Sequence, residues 1–308
     1  MEKFTQFRDR GTGVSPFIPA KSKSSIFTKL FQTAAFLFRL PFFVVYSALY
    51  FSLLQYLPLP QFARKILLWV LLAIPGIWWV DLQLDGVRRG TLSSQPPSRV
   101  PRGGDILVAN FTSPIDVVYL TAVFDPIFTL SFPGTRKVQC IGFLGAVRRA
   151  LSPVVLSPPD EAALVDIADL QRKYRNRIIL VFPECSTTNG TAILPLSPSI
   201  VSSKESSRIF PVSLRYLPND VTTPVPGTWG SFLFHLLSHS SIRIHVRMAE
   251  AVINIVPGEK SNQGPIAYDE EEVISKVCDA LSRLGRSAKV GLTLEDKQAF
   301  TKAWSSRK

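Results

Sequence analysis

Residues 105–124 read DILVANFTSPIDVVYLTAVF, and within them the chain changes period. Ile106–Asn110 carries the short apolar run of a buried strand. Thr112-Ser113-Pro114 follows, and a Ser N-cap with Pro at the first helical position is a helix start. The stretch predicts a strand over 105–110, a tight turn, and a helix from Pro114 to about Phe124. A second strand end has the same layout. Residues 177–187 read RIILVFPECST, with a wholly apolar centre suited to an inner parallel strand and a polar cluster at its C-terminal end. Such strand ends are where α/β sheets hold ligands.

Working outward, the pattern repeats. A Ser/Pro/Gly-rich loop covers 90–104. Pro153–Ser157 reads as a strand and Pro159–Arg175 as an amphipathic helix. Phe210–Leu217 and Ile242–Met248 read as strands, the second alternating apolar residues with Arg243, His245 and Arg247. Asp269–Leu284 and Leu294–Trp304 read as helices, the latter opened by Thr293 with Asp296 three positions on, as in a capping box. This alternation predicts an α/β layered fold with a mostly parallel central sheet.

Ahead of it lies a different composition. Leu40–Leu57 (LPFFVVYSALYFSLLQYL) runs eighteen residues without a charge, and Ile66–Val80 (ILLWVLLAIPGIWWV) adds fifteen more. Crossing a bilayer takes roughly 20 apolar residues. Basic residues flank both runs: Lys21, Lys23, Lys29 and Arg39 before, Arg64 and Lys65 between, Arg88 and Arg89 after. An in-out-in crossing would put the middle pair on the wrong side. The flanks therefore predict a hydrophobic helical hairpin in one leaflet, a helical pair buried in the core being the other reading. The chain divides into a polar segment (1–29), a membrane-anchoring hairpin (30–89) and an α/β domain (90–308).

The 308 residues are 46% hydrophobic and 19% charged, which excludes a disordered chain and a polytopic membrane protein. The net charge of +12 points to phosphates. Residues 1–90 hold 11 Lys/Arg against 4 Asp/Glu, so the excess gathers near the hairpin. No zinc-finger or RNP-like motif is present, so a membrane surface is expected as partner and nucleic acid is not. Cys140, Cys185 and Cys278 lack CxxC or Cys/His spacing, which argues against a disulfide framework or a metal site and for a reducing compartment.

The strand-end motifs carry a resemblance. Asn110-Phe111-Thr112-Ser113-Pro114-Ile115-Asp116 and Phe182-Pro183-Glu184-Cys185-Ser186-Thr187 resemble the first and third blocks of the glycerolipid acyltransferases, Asn-His-x4-Asp and Phe-Pro-Glu-Gly-Thr. Ile141–Ala150 and Pro153–Ser157 stand where the second block falls, and Phe210-Pro211-Val212-Ser213-Leu214 resembles the fourth. The opening EKFTQFRDRGTGVSPFIP, with NFTSPID and FPECSTTNG, is similar to a fungal branch of lysophosphatidic acid acyltransferases. That resemblance implies a seat on the cytosolic face of the endoplasmic reticulum or lipid droplets. It also implies acyl-CoA and lysophosphatidic acid as substrates, with no further cofactor.

In the family the first-block His is the general base and the Asp orients it. Here Asp116 is present, and Phe111 occupies the His position. Phenylalanine accepts no proton. Three responses stand open: Asp116 with a raised pKa as the base, Cys185 as an acyl-accepting thiolate, or a catalytically inactive lipid-binding or trafficking protein on the same fold. His235, His239 and His245 are the imidazoles that would otherwise fill the vacancy. By resemblance Glu184 positions the acceptor, with Cys185, Ser186 and Thr187 beside it as substrate-binding residues. Arg148 and Arg149 are candidates for the substrate phosphate. A hydrolase is excluded by the lack of a G-x-S-x-G elbow.

Overall fold

A computed structural model describes residues 2–20, 25–87, 99–204, 206–254 and 270–306. Lys21, Lys23, Arg88, Arg89, the 90–98 part of the predicted loop, and Asp269 lie outside them. In chain order the elements are α1 (Ile26–Ser52), α2 (Gln61–Ala73), β1 (Trp79–Leu84), β2 (Ile106–Ala109), α3 (Pro114–Phe124), β3 (Ile127–Ser131), β4 (Val138–Ile141), α4 (Phe143–Arg149) and β5 (Leu164–Val165). They continue with α5 (Ile167–Lys173), β6 (Ile179–Phe182), β7 (Ala192–Ile193), β8 (Ser207–Leu217), α6 (Trp229–Ser238) and β9 (Arg243–Met248). The last are β10 (Val252–Asn254), α7 (Glu270–Gly285), β11 (Ala288–Lys289) and α8 (Leu294–Ser305).

The sheet runs β1-β9-β8-β2-β6-β3-β4-β5. Its centre, β8-β2-β6-β3, is parallel, as the sequence predicts. Antiparallel β9 and β4 flank it, and β10 pairs antiparallel with the first half of β8. Both faces are covered, so every residue of β2 and β6 is buried. Leu107, Ala109, Leu180 and Phe182 face one core with Leu120 of α3 and Ala146 of α4. Ile106, Val108, Ile179 and Val181 face the other with Leu170 of α5 and Val277 of α7. Two-sided burial explains the unbroken apolar runs.

Three expectations change. Pro153–Ser157 is not a strand; the sheet is filled there by β3 and β4. Prolines at 153, 158 and 159 lack the donors a ladder needs, whereas Asp125 turns α3 into β3 with a left-handed backbone (φ 45°). The helix predicted over Pro159–Arg175 is broken into a 3-10 turn at Glu161–Ala163, then β5, then α5. The second apolar run ends its helix at Ala73, and Trp79 opens edge strand β1, parallel to β9. The sheet thus draws part of residues 30–89 into itself. The opening segment is drawn in too: Phe4, Phe7 and Phe17 pack around Phe300 of α8.

The hairpin has two characters. The stretch Ile26–Tyr56 is long and apolar enough to cross a membrane and is almost entirely unburied. Phe27, Leu30, Phe31, Phe38 and Phe42 are exposed on it. Helix α2 instead buries Leu68, Leu71 and Leu72, and Trp69 meets Tyr119 of α3 edge-on at 6.2 Å. Two anchors hold α1 along the domain. The Arg39 guanidinium donates to the carbonyls of Pro75, His239 and Ser240, and Phe51 stacks on Phe143 of α4 at 5.5 Å.

Candidate active site

Strands β2 and β6 are adjacent and parallel, so the loops leaving their C-terminal ends meet. After β2 the Asn110 side chain takes over the pairing: its Nδ2 donates to Leu214 O (3.0 Å) and its Oδ1 accepts from Leu214 N (2.7 Å). Ser113 then caps α3, and Asp116 completes the reciprocal capping box. Thr112 N (2.7 Å), Ser113 N (2.8 Å) and Thr112 Oγ1 (3.1 Å) donate to Asp116 Oδ2. The Tyr216 hydroxyl, from β8, donates to Oδ1.

Asp116 is 0% exposed. Burial pushes its pKa up to about 6, against the hydrogen bonds from Tyr216, Thr112 and Ser113 that favour the carboxylate. At neutral pH it is ionised and held by four donors. A serine N-cap followed three positions on by an acid is itself a capping pattern, and it is the sequence signal for this contact.

Phe111 fills the position between the loops. Its ring stacks on Phe182 at the end of β6, centroids 4.2 Å apart and planes 18° off parallel. Its backbone joins the loops, with Thr188 N donating to Phe111 O (2.9 Å). Phe111, Arg149, Phe182 and Cys185 border a cavity of only about 10 Å³. Asp116 and Glu184 do not border it, so the expectation of one pocket lined by Phe111, Asp116 and Glu184 holds here for Phe111 alone.

In the second loop Glu184 is 1% exposed. Leu194 N donates to its Oε2 (3.3 Å) while Oε1 is buried without a partner. Desolvation pushes its pKa up to about 8, so the group is mostly a neutral acid at pH 7. Cys185 has a left-handed backbone (φ 56°), a conformation natural to the glycine that the resembled motif carries there. Its thiol donates to Pro183 O (3.3 Å), and burial pushes it up to about 12. A thiol so far from ionisation is a poor nucleophile.

Ser186 and Thr187, expected at the substrate, brace the turn in this structure. Thr187 Oγ1 donates to Thr223 O (2.7 Å) and Ala150 O (3.2 Å), and Ser186 Oγ accepts from Lys297 Nζ (2.7 Å). The two arginines separate. Arg149 reaches the cavity and donates to Pro153 O (2.9 Å) and Cys185 O (3.5 Å), with burial lowering its pKa. Arg148 is exposed. The histidines stand elsewhere: His245 bonds Asp81 on the outer strands, and His235 and His239 face Asp220.

Lys297 was missed. It is 0% exposed, on α8, and its Nζ also donates to Thr187 O. Burial lowers its pKa to about 7. In sequence it resembles any surface lysine of an amphipathic helix (LEDKQAF); only the fold turns it inward, and no local pattern announced it.

Residues 93–215 match the acyltransferase family. Over 312 aligned residues the chain is 28% identical to a Schizosaccharomyces pombe protein provisionally named lysophosphatidic acid:oleoyl-CoA acyltransferase, covering 100% of this chain and 99% of that one. It is 23% identical over 205 residues to lysophosphatidic acid:oleoyl-CoA acyltransferase 1 of Saccharomyces cerevisiae, covering 64% of this chain and 61% of that protein. Among solved structures it is similar to the 1-acyl-sn-glycerophosphate acyltransferase PlsC of Thermotoga maritima, with a TM-score of 0.45, 17% identity, and coverage of 84% of this chain and 96% of that one. Both motif-bearing loop sequences up to Thr187 fall inside the family match.

Proposed function

We propose that this acyltransferase moves a fatty acyl chain from acyl-CoA to the free hydroxyl of lysophosphatidic acid, giving phosphatidic acid and CoA. The observation that carries the reading is the interlock of two acyltransferase blocks at the ends of β2 and β6, tied at Phe111 O and Thr188 N. The names of the yeast relatives supply the substrate pair.

Asp116 is the base in this reading. For it to work, the Tyr216 hydroxyl leaves Oδ1 as the acceptor hydroxyl arrives. Oδ1 takes that proton while the oxygen attacks the thioester carbon; the C–S bond then breaks, and the departing thiolate takes the proton back. Neutral Glu184 offers an Oε1–H to orient the acceptor oxygen, and Arg149 offers charge-assisted bonds to phosphate. The closed cavity has to widen for this, which the stacked Phe111 ring permits by turning off Phe182.

The same reading seats the protein on a membrane through α1. Contacts at Arg39 and Phe51 lay that helix along the domain, which supports an in-plane hairpin over a spanning one. The sequence resemblance supports the cytosolic face of the endoplasmic reticulum or lipid droplets as that membrane.

The experiment is acyl-CoA-dependent conversion of lysophosphatidic acid by the full chain in detergent or vesicles, beside a panel of other lysophospholipids. Wild type converts lysophosphatidic acid, and Phe111→His keeps or raises the rate because it adds an imidazole beside a carboxylate. Conversion of another lysophospholipid in preference sinks the acceptor assignment. No transfer to any of them by wild type sinks the acyl-CoA reading itself.

A further inference from the structure

Three side chains outside the strand-end loops converge on one point. Asp220 lies in the 3-10 turn Asn219–Val221 after β8, His235 on α6, and His239 at the C-cap of that helix. The two histidines are four residues apart, so a helix presents them on one face. Their ring planes lie 18° apart with centroids at 6.5 Å, and the Asp220 carboxylate meets both. His239 Nε2 is 2.9 and 2.8 Å from its two oxygens, and His235 Nδ1 is 3.5 Å from Oδ2. One ligand atom from each residue lies within 4.8 Å of the other two.

We propose that Asp220, His235 and His239 form a binding site for a divalent transition ion of the zinc class. Two imidazole nitrogens and one carboxylate oxygen are the donor set such an ion takes, with a fourth position left to water. Tetrahedral ligands at 2.0–2.1 Å stand about 3.3 Å from one another, and the nitrogen–oxygen separations here bracket that spacing. Burial is graded in the sense a site needs: the Asp220 side chain is 3% exposed, His239 12% and His235 34%. The carboxylate is the buried end of the cluster and His235 the more accessible one. A single imidazole already satisfies the carboxylate, so a second aimed at the same Oδ2 serves an ion better than it serves a hydrogen bond.

The ion would staple rather than react. Val221, the next residue, accepts Ser113 Oγ (3.0 Å) at the cap of α3, and Thr223 N donates to Thr112 O (2.8 Å). On the other side the Arg39 guanidinium of α1 holds the His239 carbonyl. The cluster thus joins the membrane-facing helix to the segment that carries Asp116.

The test uses the purified full chain in detergent, stripped with a chelator and titrated with Co²⁺, with bound metal counted by elemental analysis. The expected result is one ion per chain, visible d–d bands of a four-coordinate ion, loss of those bands on adding Zn²⁺, and a rise in Tm with Zn²⁺. His235→Ala keeps the His239–Asp220 hydrogen bond and hence the fold, checked by circular dichroism, and weakens binding roughly tenfold or more. Asp220→Asn does likewise, while His245→Ala, remote on β9, binds as wild type. Substoichiometric uptake by wild type overturns the proposal and leaves a hydrogen-bonded Asp–His pair. So does a His235→Ala protein that binds as wild type does.

Discussion

The hairpin and the strand-end loops invert each other. On α1 and at the start of β1, Phe27 is 85% and Trp79 69% exposed, while Asp116 of α3 and Lys297 of α8, packed around the loops, are 0% exposed. Water penalises both arrangements. An exposed apolar face of that extent marks a surface meant for another apolar phase, and a buried carboxylate persists only where donors satisfy it. The loops solve their half internally: four donors hold Asp116, and Lys297 spends its protons on Ser186 and Thr187. The hairpin leaves its half open, and in the function proposed above a lipid phase completes it.

The largest expected effect comes from breaking the hidden half. Asp116→Asn puts an amide where two backbone N–H groups and two hydroxyls need an acceptor. Lysophosphatidic acid conversion should fall by roughly a hundredfold or more, and stability by about 1–3 kcal/mol from the buried donors left unmatched. Activity within a few-fold of wild type would show that Asp116 only caps α3. Lys297→Met comes next, because it strips a donor from Thr187 O two residues after Cys185. We expect kcat to drop about tenfold with KM little changed; a KM effect alone would place Lys297 at the substrate instead.

The exposed half is tested by Phe27→Ser, Phe38→Ser and Phe62→Ser together. These side chains are well exposed, so folding and the activity toward detergent-dispersed substrate should stay near wild type. Co-sedimentation with phospholipid vesicles should fall at least tenfold, since burying a Phe is worth about 1.5–3 kcal/mol. Unchanged sedimentation would mean the apolar face meets a protein rather than a bilayer.

How much of this was legible in the sequence follows from what each element depends on. Strands β2 and β6 were readable because burial on both faces leaves an unbroken apolar run, and α3 because Ser113-Pro114 marks its start. Strands β3 and β4 were not, since each is a short run whose pairing is set by distant partners. In the site, Asp116 and Glu184 were readable from their motifs. The brace formed by Tyr216, Thr223 and Lys297 was not, because those residues reach the loops from β8, the segment after it, and α8. The stack of Phe111 on Phe182 joins two recognisable motifs, yet nothing in either announces the other.

A smaller effect separates the two carboxyls by pH. Glu184 has a folded pKa of about 8 against an ordinary 4.5, so the folded protein holds a proton that the unfolded chain releases. Its contribution to stability falls as pH rises from 4.5 to 8 and is flat beyond. Glu184→Gln imitates the neutral acid. The Tm gap between Glu184→Gln and wild type should therefore widen in favour of the variant across that window, then hold constant. A gap that does not move with pH would mean Glu184 is ionised in the fold, and that the orphan Oε1 has found a cation.

The smallest effect decides the chemistry at Cys185. Its φ of 56° is left-handed, a backbone that glycine adopts freely and other residues adopt at some cost. Cys185→Gly relieves that strain but removes a sulfur buried among Ala192, Leu194 and Val225 and frees the unfolded chain. These terms oppose, so stability should shift by less than about 1 kcal/mol. Turnover should persist, because a thiol pushed up to about 12 by burial has almost no thiolate at neutral pH with which to accept an acyl group. Single-turnover incubation with radiolabelled acyl-CoA gives the second readout: neither wild type nor Cys185→Gly should retain label after denaturation. Label on wild type that hydroxylamine removes, together with a dead Cys185→Gly, would establish the covalent thioester route and reduce Asp116 to the helix cap its hydrogen bonds describe.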